Sequence, residues 1–112
     1  MVRGKDPALD RIITFKPFFL ALGSHARLRI VAELALHGET AVSDLARALK
    51  MSQPLVSWHL ARLRQGGVNR QRQEGRLAYC SVDVDYIRDC ERMLAEMVTD
   101  PDSRDAEEGQ SA

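Results

Sequence analysis

Apolar residues in the first two thirds of the chain recur every three or four positions, which is the period of an amphipathic helix. The pattern predicts four helices, over residues 8–21, from the N-cap Ser24 to His37, over residues 43–49, and from the N-cap Ser52 to the Gly66–Gly67 pair. Pro17 is expected to bend the first helix, because its ring removes a backbone donor and crowds the preceding turn.

Each predicted helix has an apolar face that should pack against a core. Helical spacing places Leu28, Val31, Ala32 and Ala35 on this face in the second helix, Leu45, Ala46 and Leu49 in the third, and Val56, Leu60 and Leu63 in the fourth. The first helix has more large apolar residues than one core-facing side requires. A second chain is therefore expected to cover the surplus.

The period changes after residue 67. Residues 68–73 and 77–82 alternate in polarity around Glu74-Gly75-Arg76, which predicts a β-hairpin. A last helix is expected over residues 84–98, with a stripe of Val84, Ile87, Cys90 or Glu91, Leu94 and Met97. Residues 99–112 are polar and acidic and are predicted to be a disordered tail. Residues 1–98 then form one mainly α domain with a small β-hairpin, a winged helix-turn-helix of order ααααββα.

Charge is unevenly distributed along a chain whose formal net charge is zero. Residues 47–76 hold seven Lys or Arg side chains against Glu74 alone, and no Asp or Glu occurs between Met51 and Gln73. Arginine suits bidentate contacts with phosphate and guanine, both of which repel carboxylates. The segment therefore favours nucleic-acid binding, with a merely solvated basic surface as the alternative.

Several classes of protein are not expected from this composition. The 112 residues suffice for one domain. No apolar run approaches the ~20 residues of a membrane span, and the N-terminal residues lack the apolar stretch of a signal peptide. We expect a cytoplasmic protein with no membrane partner and, since two cysteines are too few, no disulfide framework. No nucleophile–base pair, phosphate loop or metal cluster indicates an enzyme.

Three stretches, in this order and spacing, carry a family pattern. They are ALGSHARLRIVAEL (21–34), VSDLARALKMSQPLVSWHLARLRQGGV (42–68) and RQRQEGRLAYCSV (70–82). The second contains an S-x-H-L motif and the third an E-G-R motif. Together they resemble the second helix, helix-turn-helix and wing of the ArsR/SmtB family of bacterial transcriptional repressors. The resemblance covers about residues 16–83. Asn69 stands where the family usually has an apolar residue, and Cys80 where an aromatic is common.

The resemblance implies a fourth helix that enters the major groove of a double-stranded DNA operator, with the wing reaching nearby backbone or minor groove. The expected DNA-binding residues are Ser52, Gln53, Ser57, Trp58, His59, Arg62, Arg70, Arg72 and Arg76. Trp58 could instead pack on a neighbouring loop. His59 flanks the buried stripe, so a structural hydrogen bond is an alternative to a phosphate contact.

The resemblance also implies a homodimer formed through the first and last helices. The expected interface residues are Leu9, Ile12, Ile13, Ile87, Leu94 and Met97.

The sensing sites known in the family are not matched. Ala41 and Ser43 occupy the positions of a Cys-x-Cys metal site, and Asp83, Asp85, Glu96 and Thr99 occupy those of a zinc site with two histidines. Zinc favours nitrogen and sulfur ligands, so we expect no metal site and no cofactor.

The two cysteines, Cys80 and Cys90, leave two interpretations open. They are either small buried hydrophobes or a thiol switch, responsive to persulfide or oxidants and centred on Cys90.

The main functional hypothesis is a sequence-specific DNA-binding repressor. The alternatives are a repressor that switches through Cys90, and a winged-helix protein-interaction module that has lost DNA binding.

Overall fold

The computed structural model describes residues 7–99, which form five helices and a three-stranded antiparallel sheet. In chain order the elements are α1 (Pro7–Leu22), α2 (His25–His37), β1 (Thr40–Ala41), α3 (Val42–Leu49), α4 (Gln53–Gln65), β2 (Asn69–Glu74), β3 (Leu77–Val82) and α5 (Val84–Val98). This order confirms the predicted winged helix-turn-helix, in which the β2–β3 hairpin is the wing. None of these helices is long and apolar enough to cross a bilayer. The predicted tail spans residues 99–112, and all of it after residue 99 lies outside the described residues.

α1 packs one side on the core and leaves an apolar side exposed. Pro17, expected to bend it, lies inside one continuous helical segment. Phe18 and Ala21 are buried, whereas Ile12, Ile13 and Leu20 are exposed. The predicted surplus of apolar side chains on this helix is therefore present at the surface of the protomer.

α2 turns to the core a face that overlaps only partly with the predicted one, since Val31 packs against the core as expected. Ser24 caps the helix as expected, because its Oγ accepts a hydrogen bond from the Arg27 N–H at 3.3 Å. The buried residues, however, are Ile30 and Leu34, while Leu28 is 51% exposed. Both sets of residues have helical spacing, so periodicity alone could not decide which set faces inward.

α3 and α4 form the helix-turn-helix. The turn between them places Lys50 in the left-handed region, with φ 56° and ψ 45°. The Ser52 side chain then accepts a hydrogen bond from the Leu55 N–H at 3.2 Å, which confirms the predicted N-cap of α4. Pro54 lies in the first turn, where no helical N–H bond is lost. The predicted inward residues of both helices, Leu45, Ala46, Leu49, Val56, Leu60 and Leu63, are all buried.

Two glycines allow α4 to end directly against its neighbours. A Cβ on Gly66 would lie 2.6 Å from the Pro17 carbonyl oxygen and 2.7 Å from the Ala21 Cβ. Gly67 has φ +76°, and a Cβ there would lie 2.5 Å from the Tyr86 ring. Any side chain at these positions would push α4 away from α1 or α5.

The sheet has the strand order β1-β3-β2. The predicted hairpin is confirmed, with Asn69 opposite Val82 and Glu74 opposite Leu77. β1 was not predicted, because its two residues are too few to show alternation. It pairs Thr40 with Cys80 and so joins the segment after α2 to the wing.

Asp83 is the N-cap of α5, and its carboxylate accepts a hydrogen bond from the Tyr86 N–H at 3.1 Å. Cys90 and Met93 are its buried residues, and Ile87 packs against the same core. Leu94, a residue of the predicted stripe that was also expected at the dimer interface, is exposed on the protomer. The apolar surface of α5 is wider than its contact with the core, so Leu94 is left on the flank nearest α1.

Candidate nucleic-acid interface

The first turns of α4 and the wing enclose a polar groove of about 340 Å³, the wing groove. Gln53 and Ser57 line it from α4, and Gln71 and Arg76 line it from the wing. None of the described residues that line the groove has a carboxylate side chain. With Ser43 of α3, four hydrogen-bonding side chains and one guanidinium therefore face the space beside the predicted recognition helix.

Gln71 of the wing contacts α4 through a hydrogen bond. The Arg64 Nη1 donates a hydrogen bond to the Gln71 Oε1. Gln71 pairs with Cys80 in the sheet, and a residue and its cross-strand partner share a face, so this is the face that the sheet turns to the core. Sequence reasoning did not single out Arg64 or Gln71. Period-two alternation in β2 separates Gln71 from its arginine neighbours but does not say which face meets α4.

Arg70 and Arg72 lie on the opposite face of the wing, where carboxylates hold both. The Arg70 Nε donates to an Asp83 carboxylate oxygen at 3.1 Å. Arg72 donates to both Glu39 oxygens, at 2.9 and 2.8 Å, and to Glu74 at 2.7 Å. The hydrogen bond from Arg72 holds the pKa of Glu39 below its ordinary value, and the bonds to Glu39 and Glu74 raise the pKa of Arg72. Two predicted DNA contacts are therefore already neutralised within the protomer.

Arg76 differs from these two arginines. It is exposed in the turn between β2 and β3. Within residues 7–99 no carboxylate forms an ion pair with it. Arg76 is consequently the wing guanidinium best placed to meet a phosphate.

Trp58 and Arg62 lie on the other side of α4, towards α1. Trp58 is 50% exposed, and the Arg62 guanidinium carbon lies 4.9 Å from the centre of its ring. The ring meets the edge of the His59 ring at a centroid distance of 5.0 Å. This cation–π arrangement keeps the Arg62 charge at the surface of α4.

His59 does not share the exposed face with the other predicted contacts. It is 8% exposed, and its Nδ1 lies 3.3 Å from the Arg27 Nη1. Arg27 is itself anchored, because its Nε donates to the Ala21 carbonyl at 2.6 Å. Burial, with a further contribution from the Arg27 charge, lowers the pKa of His59 below its ordinary value. This geometry favours the structural hydrogen bond over a phosphate contact for His59.

Comparison with known proteins decides the family. The profile described as "bacterial regulatory protein, arsR family" matches residues 24–68. The chain is 34% identical over 95 residues to a transcriptional repressor SmtB homolog of Synechocystis, covering 85% of this chain and 71% of that protein. It is 33% identical over 84 residues to a cadmium resistance transcriptional regulatory protein CadC homolog of Staphylococcus aureus, covering 75% and 69%. The chain belongs to the ArsR family.

A solved structure agrees with this assignment. The homodimeric winged helix-turn-helix DNA-binding domain of a possible ArsR-family regulator from Mycobacterium bovis has a TM-score of 0.67 and 28% identity. The match covers 86% of this chain and 91% of that one. This ArsR-family protein is accordingly a transcriptional regulator, and its family is one of regulators rather than enzymes.

The cysteines of this ArsR-family regulator are both buried. Cys80 donates from Sγ to the Thr40 carbonyl at 3.4 Å, and burial raises the pKa of its thiol to about 11. Cys90 belongs to the core of its own protomer, and burial raises its pKa as well. The thiolate is the reactive form, so these surroundings favour two core residues over the hypothesis of a thiol switch.

Metal ligands do not converge in the part of the regulator that the structure describes. Among residues 7–99 no three His, Cys, Asp or Glu side chains come together as a metal site. Asp83, from the zinc-site register, is instead the N-cap of α5 and the partner of Arg70.

Proposed function

We propose that this ArsR-family regulator is a homodimeric repressor that binds operator DNA in the cytoplasm, with α4 of each protomer in a major groove. The observation that carries the proposal is the wing groove, where the carboxylate-free side of α4 meets the inner face of the wing. DNA presents phosphates and acceptor-rich base edges, and both favour such a surface.

Residues in and beside the wing groove have different parts in recognition. Ser52, Gln53 and Ser57 lie in the first turns of α4, the part of a recognition helix that reaches base edges. Arg64 and Arg76 flank them and supply charge for phosphates. Arg62 and Trp58 extend this surface on the α1 side. We assign Arg70 and Arg72 a smaller part, since each must first leave a carboxylate.

The second copy is proposed to cover an apolar groove between α1 and α5. Its lining includes Ile12, Phe15 and Phe19 from α1 with Leu94 and Met97 from α5. Leu9 and Ile13 are exposed on α1 as well. Ile87, also expected at the dimer interface, packs against the core of its own protomer and is only partly exposed. The homodimeric state of the Mycobacterium bovis relative supports this arrangement.

The repressor proposal is tested with DNA selected from a random pool by the full chain. Binding to the selected duplex is measured by fluorescence anisotropy at 50 and 200 mM salt, against a shuffled duplex. Affinity for both should fall steeply with salt, while the selected duplex keeps an advantage of about 1–3 kcal/mol per well-made base contact. Failure to enrich any sequence, or binding that ignores salt, would favour the protein-interaction module.

A further inference from the structure

A second concave surface lies on the side of α4 away from the wing. This arginine cleft, of about 280 Å³, is bounded by the end of α1, the start of α2 and the outer side of α4. Pro17, Leu20 and Ala21 give it an apolar wall, and Trp58 adds an aromatic one. Arg27, Arg62 and Gln65 are its polar lining residues.

The cleft has positive charge and no acidic lining residue in the described chain. Hydrogen bonds to the Ala21 carbonyl and to His59 fix Arg27 through its Nε and Nη1, which leaves Nη2 as a pre-oriented donor. Arg62 is held against the Trp58 ring. Within residues 7–99 neither guanidinium forms an ion pair with a carboxylate.

We propose that the arginine cleft binds a small organic anion with an apolar body. Its carboxylate or phosphate group accepts hydrogen bonds from Arg27 and Arg62, and its apolar part covers the wall of Pro17 and Ala21. Charge-assisted bonds to two fixed guanidiniums, beside an apolar surface, are the usual elements of such a site. A DNA backbone phosphate could pair with the two arginines but would leave the apolar wall uncovered, so a free amphipathic anion fits better.

Binding in the cleft would lower operator affinity, an effect that rests on the proposed function. The cleft joins α1, the proposed dimer helix, to α4, the proposed recognition helix. An anion there occupies Arg62 and Trp58, which belong to the predicted DNA surface. Anion and operator therefore compete for the same groups, and the coupling must be reciprocal.

The binding site itself is tested without DNA. Trp58 is the single tryptophan of the chain, so its fluorescence reports on the cleft directly. The full-length protein is titrated with phenyl phosphate, benzoate and inorganic phosphate at constant ionic strength, with chloride as the reference salt, and calorimetry is run in parallel. Phenyl phosphate or benzoate should give a saturable change at millimolar or lower concentration, and inorganic phosphate should bind about tenfold more weakly.

Two charge-matched variants separate the cleft from general electrostatics. Arg62→Gln should weaken phenyl phosphate binding about tenfold or more, because one charge-assisted partner is lost. Arg64→Gln removes the same charge from the same helix on the side facing Gln71 and should leave anion binding unchanged. Calorimetry provides the affinity of Arg62→Gln independently of any change in the Trp58 baseline.

Several results would overturn the proposal. No saturable signal at millimolar anion, or equal losses in the two variants, would remove the site. Inorganic phosphate binding as tightly as phenyl phosphate would reassign it to a DNA backbone contact. If an anion binds without changing operator affinity, the proposed coupling to DNA is wrong, while the anion site itself stands. Failure of operator binding alone would count against the repressor proposal and not against the cleft.

Discussion

Glu39 and Arg72 join the segment after α2 to the outer strand of the wing through two hydrogen bonds of 2.8 and 2.9 Å. Arg72 reaches across the sheet to do so, with its guanidinium carbon 4.7 Å from the centre of the Tyr79 ring. Both partners are at the surface, where ion pairs contribute little to stability. The main consequence of the pair is therefore that Glu39 holds the charge of Arg72, which must leave this carboxylate before it can contact a phosphate.

We predict that Glu39→Gln raises operator affinity, because Arg72 then has one carboxylate fewer to leave before it meets a phosphate. The plot of log affinity against log salt should steepen by up to about 0.9, the contribution of one phosphate contact. Asp44→Asn, which frees Arg47 on α3, removes an acidic group elsewhere and is the control. Weaker binding by Glu39→Gln would show instead that the pair holds the wing in its binding position.

The two faces of the wing should differ in their effect on DNA binding. Arg76→Gln is expected to weaken binding to all duplexes alike and to flatten the salt slope by about 1. Arg70→Gln removes the same charge from a side chain already paired with Asp83 and should have a smaller effect. Anisotropy titrations at four salt concentrations give both slopes. Equal slopes for the two variants would contradict the division between the faces.

Leu94→Glu is predicted to give a monomer that no longer binds a full operator. The change places a carboxylate in the apolar groove between α1 and α5, where covering it by a second copy would be costly. Leu36→Glu, at a position 75% exposed on α2, is the matched control and should remain dimeric. Sedimentation velocity at micromolar protein distinguishes the two states. A dimeric Leu94→Glu would exclude this groove as the interface.

Asn69→Leu is expected to stabilise the protein by about 1–3 kcal/mol, since it removes a desolvated amide while keeping the side-chain size. Asn69 is 7% exposed, and neither its Oδ1 nor its Nδ2 has a hydrogen-bond partner among the described residues. Gln73→Leu, exposed on the same strand, should not raise the melting temperature. Urea unfolding followed by circular dichroism measures both. If the Asn69→Leu variant is less stable than the wild type, the amide makes a stabilising hydrogen bond in the folded protein.

Acid should destabilise the fold through His59. The pKa of His59 is lower in the folded protein than its ordinary value of 6.5, so protonation favours the unfolded chain. The contribution of neutral His59 to the stability of the fold is complete above pH 6.5. It is lost as the pH falls towards the pKa of His59 in the folded protein. His59→Gln should remove this part of the pH dependence, which lies below pH 6.5. His37→Gln, at an exposed site, is the control and should retain it.

Local chemistry in the sequence was enough to determine most of the elements. Ser24 and Ser52 mark two helix starts because a side-chain oxygen there meets a free backbone N–H. The inward residues of α4 followed from spacing, since its remaining positions are too polar for any other face to be buried. The helix-turn-helix and the wing, and with them the family, could therefore be recognised from the order of the residues alone.

The tertiary structure alone decided which faces meet and which charges are free. α2 offers two apolar faces of the same period, and only packing selected Ile30 over Leu28. Arg72 looks like a DNA contact until the strand order β1-β3-β2 brings Glu39, 33 positions earlier, to its side. The burial of His59 and of Cys90 likewise depends on neighbours from other elements. Hydrophobic period and capping are local interactions along the chain, whereas ion pairing and burial depend on contacts between segments that are distant in the sequence.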